Sequence, residues 1–245
     1  MKILGIDTST KFLCLGIYGN ANPVKNTTCA DKHSKISNGA KIYEYNLETG
    51  KRLSSLLAIT IKRVLDTLNW RVNEIDYFAC GLGPGSFTGI RIGLATIKGL
   101  AWSLNRPVIG ISTLDILARN AKALDGYIVP MVDAKRGLIY CSIYKTKDGT
   151  LRRITPYMLL SEKEFFRKMK NRAILFADAV GLYKEKILRN IKGVTILDED
   201  YWYPNGRNII ELALERIKDK KFDNSFKIKP IYLYPKECQI SKTGS

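Results

Sequence analysis

The chain is short of the side chains that carry most metal and nucleophilic chemistry. Its 245 residues include a single histidine, His33. That excludes chemistry needing two imidazoles from one chain, such as an H-E-x-x-H zinc site. A Ser/His/Asp triad would have to use His33, which sits among Asp31, Lys32 and Ser34 and reads as part of a polar loop. The five cysteines (Cys14, Cys29, Cys80, Cys141, Cys238) are widely spread, with no C-x-x-C. An odd, unclustered set argues against a disulfide framework and against a structural zinc site, and reduced thiols are the simplest reading. Cys14 and Cys80 lie in apolar runs and read as core residues.

Long apolar runs are also missing. A membrane helix needs roughly 18 uncharged apolar residues, and the best stretch, Ile90 to Leu104, carries Arg91 and Lys98. The opening run Ile3-Leu4-Gly5-Ile6 is cut short by Asp7, so no signal peptide is expected there. The expectation is a cytoplasmic protein with no membrane contact. Acidic residues are scarce beside basic ones, 23 against 40, giving a formal net charge of +17. Such a surface attracts polyanions, among them RNA, nucleotides and acidic proteins.

What is present alternates between helix and strand. Lys2 to Ile6 and Phe12 to Tyr18 are short apolar runs around the polar turn Asp7-Thr8-Ser9-Thr10, which predicts a hairpin. A third short strand is expected within Ile42 to Tyr45. Leu53, Leu57, Ile61, Val64, Leu65 and Leu68 recur at helical spacing and predict a helix over 53–68, with Leu56 and Ile59 off its core stripe. Strands are expected at Tyr77–Leu82, Pro107–Ile111, Tyr127–Val132, Leu138–Tyr144, Ala173–Ala177 and Val194–Leu197. Helices are expected at Ser86–Leu104, Thr113–Ala123, Val180–Asn190, after the capping box Ser161-x-x-Glu164, and after a similar pattern at Asn208 and Glu211. Ile228 to Tyr234 reads as a final extended segment. The class is α/β. A shift in composition near Ile111 predicts an N-terminal lobe over 1–110, a more charged C-terminal lobe over 111–240 and a disordered tail over 241–245. No sequence repeat is evident.

The most informative stretch runs from Gly81 to Ala101, GLGPGSFTGIRIGLATIKGLA. It follows a predicted strand and opens a predicted helix. Its glycines allow a tight turn and leave amides free to face an anion, yet it is neither a Walker A loop nor a G-x-G-x-x-G fingerprint. It either cradles a phosphate or is a turn that binds nothing. Within the helix, Gly89, Gly93 and Gly99 each cost about 1 kcal/mol relative to alanine. By phase, Ile90, Leu94, Ile97, Ala101 and Leu104 form an apolar stripe, and Gly89, Gly93, Thr96 and Leu100 a smooth one beside it. The smooth stripe invites close approach of another helix, from inside the chain or from a partner. Leu56 and Ile59, off the core stripe of the preceding helix, add a hint of a two-helix docking face, with the internal neighbour still open.

Leu82 to Ala101 resembles the signature of the TsaB (YeaZ) family. Ile3 to Thr10, Val108 to Asp115, and Val132-Asp133-Ala134-Lys135-Arg136 with Tyr140 resemble further family segments in the same order. The resemblance implies a fold like the actin, Hsp70 and sugar-kinase ATPases (ribonuclease H-like), with two lobes of mixed sheets flanked by helices. It implies a non-catalytic scaffold in making N6-threonylcarbamoyladenosine at position 37 of tRNA. The implied partners are a TsaD-like paralogue, which holds the metal and transfers the group, and a TsaE-like ATPase, so that ATP and metal belong to the partner subunits and none binds strongly here. It places pairing on the two helices around Leu53–Leu68 and Ser86–Leu104, with Leu56, Ile59, Gly89, Ile92, Gly93, Thr96 and Leu100 as the expected interface, which a second copy of the chain could also use, and Gly93→Leu is then expected to block pairing without unfolding the monomer. His33-Ser34 matches a family pair, but the stretch that follows, to about Arg52, reads as an insertion. Asp7, with Thr8, Gly83 and Gly85, stands where this superfamily holds a nucleotide. Asp7 is then a vestige of that site or a turn residue capping backbone amides, and Asp133 is a similar remnant or a turn residue pairing with Arg136. The alternative function is an active small-molecule kinase or ATPase of the same superfamily.

Overall fold

The computed structural model describes residues 1–20, 40–169 and 172–234. They form two units, one of residues 1–120 with 203–230, the other built on 121–202 with the residues from 231 onward. A single cut near Ile111 therefore misses that the chain returns to its first unit after residue 202. His33, Cys29, Cys238, residues 35–39 of the stretch before Leu53 and the 241–245 tail lie outside the described residues, while the rest of that stretch, expected as an insertion, supplies the strand Lys41–Glu48 of the first sheet.

The first unit is a five-stranded sheet. Its strands are β1 (Ile3–Asp7), β2 (Phe12–Gly19), β3 (Lys41–Glu48), β4 (Tyr77–Gly81) and β5 (Val108–Ile111), in the order β3-β2-β1-β4-β5. β1–β2 and β2–β3 are antiparallel, while β1–β4 and β4–β5 are parallel. β3 runs twice as long as its apolar core suggested, because eight residues pair in register with β2 from Phe12↔Glu48 to Gly19↔Lys41. Side chains alternate across the sheet. Leu4, Ile6, Leu13, Leu15, Ile17 and Phe78 face a core covered by α1 (Leu53–Thr67) and α2 (Phe87–Ser103). Ile3, Cys14, Ala79 and Ile109 face the opposite core, covered by α3 (Thr113–Ala118) and a later helix of the same unit, with Ile209, Ile210 and Ala213.

The second unit carries β6 (Gly126–Asp133), β7 (Leu138–Cys141), β8 (Tyr144–Lys147), β9 (Thr150–Arg153), β10 (Met158–Ser161), β11 (Ile174–Phe176) and β12 (Thr195–Ile196). Its main path runs β10-β7-β6-β11-β12, antiparallel over the first two pairings and parallel over the last two. This repeats the first sheet, strand for strand, though no sequence repeat announces it. The order and direction pattern is the ribonuclease H-like arrangement of the actin, Hsp70 and sugar-kinase fold. The single strand expected over 138–144 is two, since Ser142 Oγ donates to the Thr155 carbonyl and Ile143 N–H to Thr155 Oγ1, breaking the ladder between them. Helix α4 (Glu162–Lys168) has the expected Ser161–Glu164 capping box, and α5 (Ala179–Asn190) follows β11.

The last helix, α6 (Gly206–Lys218), returns to the first unit. Its cap is Asn205, whose side chain accepts from Asn208 N–H, and not the Asn208–Glu211 pattern. Asn208 is buried inside the helix, its Nδ2 donating to the Ile116 carbonyl and Asn120 Oδ1. α3 stops at Ala118, earlier than periodicity suggested, because a tight turn at Arg119–Ala121 follows it. The expected extended segment Ile228–Tyr234 forms no strand among the described residues.

Candidate functional site

The site begins at the end of β1. Asp7 is fully buried. Its Oδ1 accepts from Ser9 N–H at 2.7 Å and from Ser9 Oγ at 2.6 Å, and its Oδ2 accepts from Thr113 Oγ1 at 2.7 Å. The turn after β1 therefore folds back onto the carboxylate, and the first residue of α3 closes the other side. A Cβ on Gly81 would overlap Asp7 Oδ2, so glycine at the end of β4 is what lets the acid sit there.

The glycine loop wraps the same turn. Gly83 has φ +85° and Gly85 φ +156°, backbone that side-chain-bearing residues avoid. Ser86 N–H donates to the Ser9 carbonyl at 2.7 Å, Thr113 N–H to the Gly83 carbonyl at 2.8 Å, and Gly89 N–H to the Ser86 side chain at 3.2 Å. These are amides that would otherwise be offered to an anion at a helix N-terminus. A Cβ on Gly85 would strike the Ser9 carbonyl. Asp7, Thr8, Gly83 and Gly85 are brought together, as the superfamily position implies, but they are brought onto one another. The amides of Ser86, Gly89 and Thr113 are thereby engaged within the chain.

The same turn sets the fate of the smooth stripe. Gly89 and Gly93 are buried. Thr8 Oγ1 donates to the Gly89 carbonyl at 2.8 Å, a Cβ on Gly89 would overlap the Thr8 carbonyl, and one on Gly93 would overlap Thr8 Oγ1. These two glycines serve close packing inside the monomer and cannot meet a partner. The remaining interface candidates stand differently. Ile59 is 49% exposed, Leu56 and Thr96 are half-buried, and Ile92 and Leu100 are half-buried against the α1–α2 core. The glycine that periodicity passed over is Gly99, exposed, with no atom within 4 Å of where a Cβ would stand. At ~100° per residue, Gly99 lies between Ala95 and Thr96 and on the same side as Ile92. The signal was in the sequence: a third helix glycine with no place on either stripe.

Burial raises the Asp7 pKa above the ordinary carboxylate value, against the lowering effect of its bonds to Ser9 and Thr113. The folded chain then holds this proton more tightly than the unfolded chain. Its contribution to stability is present below the ordinary aspartate pKa and is lost as pH rises towards the raised one. Asp7→Asn keeps an acceptor for Ser9 and removes the titration. The variant should gain on wild type as pH climbs through that window, read by thermal melts over a pH series. Wild type gaining instead would mean the fold holds the carboxylate ionised.

Asp133 ends β6 as Asp7 ends β1. Its carboxylate pairs with Lys135 and not with Arg136 as expected, and its N–H donates to Asp178 Oδ1 at 2.9 Å. Burial raises the Asp178 pKa. Cys14, Cys80 and Cys141 are buried free thiols, each pushed up by burial, Cys141 to about 12, which leaves them unreactive. Among the described residues no three His, Cys, Asp or Glu side chains gather as a metal site, and none of their helices is long and apolar enough to cross a membrane.

Comparison with known proteins gives a consistent picture. The family model for TsaD, the tRNA N6-adenosine threonylcarbamoyltransferase, matches residues 47–179. The tRNA threonylcarbamoyladenosine biosynthesis protein TsaB of Bacillus subtilis is 30% identical over 190 residues, 76% of this chain and 75% of that protein. The protein of the same name from Haemophilus influenzae is 29% identical over 71% of this chain and 76% of its own length. In fold, YeaZ from Pseudomonas aeruginosa superimposes with a TM-score of 0.72 at 20% identity, over 95% of this chain and all of that one. With its glycine signature and doubled sheet, the chain belongs to the TsaB (YeaZ) family.

Proposed function

We propose that this chain is a non-catalytic subunit in the biosynthesis of threonylcarbamoyladenosine in tRNA, for which its relatives are named. It pairs with a TsaD-type transferase, and a TsaE-type ATPase joins them, so that ATP and metal are handled by those partners. The observation that carries the reading is the closed turn around Asp7. In a phosphoryl-transfer site a carboxylate at this position works by facing solvent, metal or phosphate. Here both its oxygens are taken by Ser9 and Thr113, and the amides of Ser86, Gly89 and Thr113 by the chain's own carbonyls and hydroxyls. What the region supplies is rigidity: it locks the N-terminal end of α2 to β1.

The surface left for a partner is the outer side of α1 and α2, with exposed Ile59 and the small residues around Gly99. The test is direct. Mixed with its cognate TsaD-type transferase, the purified chain should co-elute in gel filtration, and alone it should turn over no ATP. Separate elution overturns the pairing. ATP turnover that disappears in Asp7→Ala would establish the kinase or ATPase reading instead.

A further inference from the structure

We propose that the outer face of the β6–β8–β9 ribbon in the second unit is a binding surface for a single-stranded or looped segment of RNA. It rests on the reading that the chain works on tRNA, and it adds a contact that the pairing helices, which belong to the first unit, do not supply.

The face is defined by register. Tyr127 of β6 lies opposite Lys145 of β8, and Lys145 lies opposite Arg152 of β9. One row thus crosses three adjacent strands, roughly 10 Å from end to end at ~4.8 Å per strand spacing. β8 alternates strictly, with Tyr144 and Thr146 buried and Lys145 and Lys147 exposed, so Lys147 joins the same face. Tyr127 is 47% exposed, and Lys145 Nζ stands 5.8 Å from the centroid of its ring.

This is a costly arrangement for the monomer. Like charges placed directly opposite each other across strands are destabilising, and Lys145 faces Arg152. The ion pairs Lys135–Asp133, Lys186–Glu162 and Arg189–Glu185 of this unit lie elsewhere. The carboxylate of Asp125 stands at the end of the ribbon, where it accepts from Asp148 N–H. Cations on an edge strand do protect against strand pairing, and β9 is such an edge. That purpose asks neither for opposed cations on two strands nor for an exposed tyrosine ring on the third. Both are what a nucleic-acid strand needs, cations for successive phosphates and an aromatic face for a base. The net charge of +17 adds long-range attraction.

The test uses the full-length chain and a fluorescent, unmodified tRNA transcript, with anisotropy titrations over a series of salt concentrations. The triple variant Lys145→Gln, Lys147→Gln, Arg152→Gln should bind at least about tenfold more weakly, and its slope of log K on log salt should be shallower by about 2, three phosphate contacts at ~0.7 each. Its melting temperature should equal or exceed wild type, because the opposed charges are gone. Tyr127→Leu should weaken binding about tenfold with the slope unchanged, and Tyr127→Phe should restore it. Co-elution with the transferase should survive in every variant. The proposal is overturned if the triple variant keeps wild-type affinity and slope, if Tyr127→Leu binds as wild type does, or if a control triple at exposed Lys163, Lys184 and Lys192 loses as much, which would make the attraction that of any basic surface. It is overturned equally if the chain binds no tRNA while still pairing with the transferase.

Discussion

Gly93→Leu should unfold the first unit at temperatures where wild type is intact. The Cβ alone would overlap Thr8 Oγ1 and press on Thr8 Cβ and Cγ2, so the leucyl group starts from inside the turn that Thr8 anchors. Overpacking of this kind typically costs about 1–3 kcal/mol. Displacing Thr8 also removes its bond to the Gly89 carbonyl, which leaves a buried hydroxyl unsatisfied at about 1–3 kcal/mol more. Leucine returns roughly 0.8 kcal/mol of helix propensity. The balance is a loss of about 1–5 kcal/mol, centred on about 3, a large fraction of a typical stability of roughly 5–15 kcal/mol and a fall in melting temperature of about 10 °C at that middle value for a unit of this size. Two companions sharpen the test. Gly89→Ala should be costly for a stricter reason, since its Cβ meets the Thr8 backbone carbonyl, which cannot rotate away. Thr8→Ala combined with Gly93→Ala should be more stable than the sum of the single variants allows, because the first removes the atom that the second strikes. A Gly93→Leu protein that melts as wild type does and merely fails to pair would return this glycine to the surface.

That outcome decides between the two neighbours that periodicity leaves open. Helical phase correctly groups Gly89 with Gly93, and the smoothness of that stripe is real. Phase says which residues share a face and nothing about what covers it. The cover here is Thr8, which bonds Gly89 across a sequence separation of 81 residues, too far for any local pattern to report. α2 is apolar or small nearly all round, so its composition does not choose between core and surface. The elements whose local signals agree were legible: the β1–β2 hairpin, α1, the start of α2 near Ser86 and the Ser161–Glu164 box. The second sheet was less so. Its likeness to the first lies in strand order and direction, which no residue identity encodes. Its strands β10 and β12 are half-buried or two residues long, with little alternation to read. The Asp7 constellation was half visible. The acid and its turn were evident, but the hydroxyl of Thr113, 106 residues away, was not.

The converse substitution, Gly99→Arg, should leave the monomer folded and destroy its pairing. A glycine in a helix interior costs about 1 kcal/mol relative to alanine. Gly89 and Gly93 have an internal reason for that cost; Gly99 has none, because nothing among the described residues lies within 4 Å of where its side chain would begin. Arginine there has room, gains helix propensity, and should raise the melting temperature slightly. On the surface, however, it places a long charged side chain among Ile92, Ala95 and Thr96, where a second helix would need a smooth approach. Burying that unpaired charge, or being held off by it, should weaken pairing with the transferase by at least about a hundredfold, about 2.7 kcal/mol. Gly99→Ala separates the two effects: it keeps the helix gain, adds a single methyl, and should lower affinity far less. Calorimetric melts and binding titrations on the same preparations read both quantities. If Gly99→Arg binds the transferase as tightly as wild type, the exposed side of α2 is not where the partner sits. The α1 side around Ile59 would then have to carry the contact alone, and Ile59→Asp becomes the substitution that breaks it.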